Sequence, residues 1–147
     1  MPPSQPPPSP DHPVAVLSRV ADDVADVIKG YEAMADRSDA ETGPVIQRLL
    51  VLHQAHAADL FEQAEQMGGY SEGSGAVMGI VRQAVATARD WFDSADQPTL
   101  ADICTGERRL IETYDAAILD ARAQADLRAM MEDQRAAIRA QVAALES

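Results

Sequence analysis

The chain has 147 residues, a hydrophobic fraction of 46% of which little is aromatic, and a formal net charge of -12 with a pI near 4.4. That length suits one compact domain. The charge excludes nucleic acid as a partner, because such affinity rests on Lys and Arg displacing counterions from phosphates.

The same charge opposes docking on anionic membranes, and no apolar run approaches the roughly 20 residues of a bilayer span. A single cysteine, Cys104, allows neither an internal disulfide nor a Cys-x-x-Cys knuckle and reads as a small core residue. Strand formers are not gathered into alternating runs, and no Asn-Gly or Asp-Gly hairpin signal lies between such runs. The expectation is an all-α, soluble, cytoplasmic protein.

Residues 1–13 are dense in proline and lack the basic start and apolar segment of a secretory signal. They predict a disordered tail, with residues 14–147 forming the folded domain. From Val14 to about Arg37, Leu17, Val20, Val24, Val27, Ile28, Tyr31 and Ala35 recur at three- and four-residue steps. That spacing is an amphipathic helix. Polar residues from Ser38 to Gly43 then lead to Pro44, which is tolerated in a first helical turn.

The second helix carries Ile46, Leu49, His53, His56, Leu60 and Ala64 on its inward stripe and stops at Gly68-Gly69. A shorter helix is expected from Ser74 to about Asp93, with Ser74 as its cap. After Pro98 another helix presents Leu100, Ile103, Glu107, Leu110, Ile111, Tyr114 and Ile118 to one side and runs to about Ala121. Between Asp120 and Asp126 there is neither Gly nor Pro, yet continuing that stripe would turn Gln124 and Arg128 inward. The phase shift predicts a break before a last helix that buries Leu127, Met131, Gln134, Ile138, Val142 and Leu145.

The four longer helices reach about 22 to 26 residues, or roughly 33 to 39 Å. Short connections make each hairpin antiparallel, and the third helix serves as a crossover between the two. This is the connection pattern of a ferritin-like antiparallel four-helix bundle with an additional crossover helix.

Several strings carry a resemblance: Lys29-Gly30-Tyr31-Glu32-Ala33-Met34-Ala35, Met67-Gly68-Gly69 with Gly73-Ser74-Gly75, and Thr105-Gly106-Glu107 with Tyr114. Together they resemble a bacterial ferritin-like four-helix-bundle family known only as a domain of unknown function. The resemblance implies the fold and no activity, because a fold does not fix a function.

Chemistry centres on His53 and His56, three residues apart on one helical face and directed to the same side of the bundle. Glu107 faces inward from the fourth helix. Levelling the first hairpin at Ala40 brings Asp23 or Asp26 near the histidines, and a turn near Ala123 puts Arg139 opposite Glu107. A di-iron centre needs a Glu from two helices and Glu-x-x-His from two others. Here His53 occupies the first Glu position, and Glu132 is followed three residues later by Arg135, which stays protonated and cannot ligate.

A di-iron cofactor is therefore not expected, and the leading expectation is a polar network with no cofactor. A mononuclear Zn, Ni or Cu site on His53, His56 and Glu107, with Asp23 as a further candidate, stays open. No phosphate-cradling glycine loop and no paired nucleophile and base point to an enzyme. The sequence reads as a non-catalytic module that forms a homodimer or binds another helix. The alternative is a metal-binding or oxidative-stress protein using the His/Glu site.

Overall fold

The computed structural model describes residues 13–67, 98–121 and 124–147. The described chain forms four helices and no strand: α1 (Pro13–Ala35), α2 (Thr42–Gln66), α3 (Leu100–Asp120) and α4 (Ala125–Glu146). These are the four longer helices expected from periodicity. The expected shorter helix over 74–93, the double glycine and the proline-dense stretch before residue 13 lie outside the described residues.

Proline suits the opening position of α1, where no backbone N–H partner is required. Val16, Leu17, Val20, Val24, Val27, Tyr31 and Met34 then follow at helical steps and are all buried. Each large side chain so enclosed contributes about 1.5–3 kcal/mol over its exposed state. At the far end the chain tightens as the Arg37 N–H donates to the Met34 carbonyl at 2.9 Å and the Ser38 hydroxyl to the Ala35 carbonyl at 2.8 Å.

The start of α2 is held by a side chain outside the helix. Asp39 Oδ1 accepts from the Glu41 N–H at 3.0 Å, the Thr42 N–H at 2.8 Å and the Thr42 hydroxyl at 3.0 Å. Those bonds, led by the Thr42 backbone bond, hold the Asp39 carboxyl below its ordinary pKa. The buried face of α2 includes Ile46, Leu49, His53, His56, Leu60 and Ala64, matching the expected stripe.

A reciprocal capping box opens α3. The Thr99 hydroxyl accepts from the Asp102 N–H at 3.1 Å, and the Asp102 carboxylate accepts from the Thr99 N–H at 3.0 Å. Leu127, Met131, Gln134, Ile138 and Val142 of α4 are buried as the stripe requires, while Leu145 is only partly covered. The break between α3 and α4 falls where the phase shift placed it, with the Gln124 N–H donating to the Ala121 carbonyl at 2.8 Å.

Neighbouring helices meet start to end. Arg19 near the beginning of α1 pairs with Asp120 at the end of α3 at 2.8 Å, and the Thr113 hydroxyl donates to Asp23 at 2.7 Å. Arg108 near the start of α3 pairs with Glu146 at the end of α4, and Arg135 with Asp115 at 2.7 Å. Arg48 of α2 donates to Gln141 of α4 at 2.9 Å. Most of these polar contacts are exposed and set register more than stability. No helix among the described residues is long and apolar enough to cross a membrane.

The capping box makes a direct prediction. Thr99→Ala removes the acceptor for the Asp102 N–H and should lower stability by about 0.5–2 kcal/mol. Thermal melting followed by circular dichroism reads the loss, and an unchanged melting temperature would show that the box does not hold α3.

Candidate functional site

The apolar faces of α2 and α3 carry their polar residues to one layer of the core. His53 Nε2 lies 2.8 Å from Oε1 and 2.9 Å from Oε2 of Glu107, and both side chains are fully buried. An ionised carboxylate only accepts, so Nε2–H is the donor and straddles the two oxygens. A carboxylate in a dry core needs such a partner, because an unpaired buried charge is strongly disfavoured.

Tyr31 of α1 stacks on the His53 ring at a centroid distance of 6.1 Å and an interplanar angle of 7°. Burial, and after it the Glu107 charge, pushes the Tyr31 phenol well above its ordinary pKa. The His56 ring meets His53 edge-on at 6.2 Å and 67°. Below them the Tyr114 hydroxyl donates to Gln134 Oε1 at 2.5 Å, and Gln134 Nε2 donates to the His56 carbonyl at 3.3 Å. Burial and then the Glu107 charge also raise the Tyr114 pKa. All four helices therefore contribute a side chain to the layer.

The structure unites His53 with Glu107 and sets His56 against His53. The other expected neighbours are elsewhere. Asp23 bonds Thr113 and clusters on α1 with exposed Asp22 and buried Asp26, their ligand atoms lying within 4.8 Å of one another. An open groove of about 320 Å³ runs along this cluster, lined by Arg19, Asp22, Asp23 and Thr113. Burial first, and neighbouring carboxylates second, raise the Asp22 pKa; burial also raises that of Asp23 against the Thr113 bond. The chain turns between α1 and α2 over residues 36–41, and from the inward stripe of α1 it is the large Tyr31 ring that stacks on His53.

Arg139 is likewise not the partner of Glu107. It is exposed and lies 3.4 Å from Asp115, because α4 begins at Ala125 and the register of α4 against α3 is set from there. The sequence reading placed Tyr31 and Gln134 on inward stripes but did not join them to the site. Their polar ends on those stripes were the available signal.

A di-iron centre does not fit this layer. Glu107 is the only fully buried carboxylate among the described residues, and both its oxygens face His53. From α4, Gln134 enters at the His56 end of the layer, a neutral amide already bonded on both sides. Six ligands from four helices are not present.

Fold and site together define an all-helical protein with a histidine–carboxylate pair buried in its core. The family model described as Domain of unknown function (DUF2383) matches residues 13–120, and the chain belongs to that family. No curated protein and no solved structure matches it. The matched segment ends before α4, so Gln134 enters the layer from outside it.

The layer makes stability depend on pH. Burial, with the neighbouring His53 charge second and Asp59 opposing, lowers the His56 pKa from 6.5 to about 4. Above the unfolded value both states hold a neutral ring. Below it the unfolded chain takes a proton that the folded chain refuses, so stability falls from about pH 6.5 towards about pH 4. The loss should be roughly 1 to 3 kcal/mol. Raised aspartate pKa values act with the opposite sign, so the measurement is the difference between wild type and His56→Gln in melts from pH 7.5 to 4.5. Parallel pH profiles would remove His56 as the cause.

Proposed function

We propose that the chain is a ferritin-like antiparallel bundle whose polar layer is structural, and that it acts as a non-catalytic module associating with a second copy or with a partner helix. The observation behind this reading is the His53–Glu107 pair. It uses both oxygens of the layer's carboxylate on one imidazole, where a di-iron protein would use carboxylates to bridge metal. A core committed this way fixes helix register and leaves no open coordination set for oxygen chemistry.

Association is supported by Val51 on α2 and Leu119 on α3, which are 67% and 66% exposed, the large apolar side chains left outside the core among the described residues. On a surface with twice as many acidic as basic residues, such points are where close contact costs least desolvation. Closed two-fold pairing is the commonest solution for a self-complementary patch. The acidic surface and the helices' lack of a membrane-length apolar stretch fit a soluble cytoplasmic protein.

Two measurements test the reading. Ferrous iron with oxygen should give no stoichiometric oxidation above a buffer control; rapid, protein-stoichiometric oxidation would refute the non-catalytic core. Light scattering across a concentration series should show a dimer that Val51→Glu shifts towards monomer. A monomer at every concentration that also captures no helical peptide partner would leave the association reading without support.

A further inference from the structure

The histidine pair has a second side. His53 Nδ1 and His56 Nδ1 are both buried side-chain atoms with no hydrogen-bond partner among the described residues, on rings whose residues are fully and more than nine-tenths buried. A polar atom enclosed without a partner costs about 1–3 kcal/mol, so two of them on neighbouring rings call for an occupant. We propose that His53 and His56 bind one late first-row transition ion through their Nδ1 atoms, with Glu107 orienting His53 from the opposite edge of its ring. This goes beyond the association role and does not depend on it.

Three observations carry the assignment. Both Glu107 oxygens lie on Nε2 of His53, so Nδ1 is the nitrogen left to an ion, which displaces any proton the ring carries there. That is the carboxylate–histidine–metal arrangement, in which the carboxylate fixes the tautomer and raises ligand basicity. Glu107 is then a positioning residue and not a ligand, which differs from a three-ligand His/His/Glu site.

The second observation is spacing. An ion about 2.1 Å from each ligating nitrogen sits about 3 Å from each ring centre. Ring centres 6.2 Å apart are within the span across which two imidazoles can share one ion. The third is donor chemistry. Two neutral imidazoles favour Zn, Ni or Cu over Mg or Ca, which require oxygen ligands. Two protein ligands leave the remaining positions to water, so the ion is held as a structural clip within α2.

The test uses the full chain carrying His12→Ala, which removes the one histidine outside the pair, freed of metal with a chelator. Titration calorimetry with Zn should show one equivalent bound per chain. His56→Gln should weaken that binding by at least 100-fold, and Glu107→Gln should retain it with affinity lowered by about 10–100-fold. Absence of binding in the parent, or undiminished binding in His56→Gln, overturns the site; the latter result would place the ion at Asp22, Asp23 and Asp26 instead.

Should either variant fail to fold, long-range proton–nitrogen NMR of the parent decides. Zn should shift Nδ1 of His53 and of His56 while Nε2 of His53 keeps its proton. A metal-dependent loss of the proton at His53 Nε2 would put the ion on the Glu107 side of the ring, and no change at either Nδ1 would show that no ion sits there; either result overturns the assignment.

Discussion

A carboxylate with no exposure can stay charged only if something inside the protein replaces the water it gave up, and in this chain that replacement is His53. The contact spans 54 residues of sequence and joins α2 to α3 across the middle of the core. Desolvating both groups costs several kcal/mol, and their attraction recovers this only when the geometry is good. Two oxygens at 2.8 and 2.9 Å from one nitrogen meet that condition. Removing one partner strands the other, a loss on the order of 3–5 kcal/mol. The pair is thus less a source of stability than a constraint on how α2 and α3 align.

The rest of the layer follows from that alignment. Tyr31 covers one face of the His53 ring, so α1 shields the pair from solvent while its phenol remains neutral. From the other side Gln134 ties Tyr114 of α3 to the backbone of α2, linking the two helices a second time through α4. Apolar packing by Leu49, Leu60, Ile103, Leu110 and Ile138 surrounds these contacts and supplies most of the burial energy. Aliphatic packing tolerates many registers; hydrogen bonds of fixed length tolerate few. The polar layer selects one.

This division separates what sustains the bundle from what a di-iron centre would require. Core volume and helix periodicity sustain the fold, whereas oxygen chemistry requires particular ligands at particular heights. Here a neutral amide stands on α4, and an imidazole stands on α2 where a carboxylate would begin the motif. The buried layer survives because each of those replacements finds a local partner. The Nδ1 atoms of His53 and His56 are left without a hydrogen-bond partner among the described residues.

Helix positions and inward faces were legible in the sequence because burial on a helix repeats every three or four residues, and Ile46 to Ala64 or Leu127 to Val142 follow that period. The break before α4 was also readable, from a change of phase without Gly or Pro. That His53, His56 and Glu107 would face inward followed from the same periodicity. Which of them would touch did not, since one residue of change in a turn moves the facing partner by about 100° around the helix. Packing of the helices brought Tyr31 to His53, left Asp23 with Thr113 and gave Arg139 to Asp115. Periodicity is local and is written in the chain, whereas register depends on how four apolar faces pack together, and only the tertiary structure decides it.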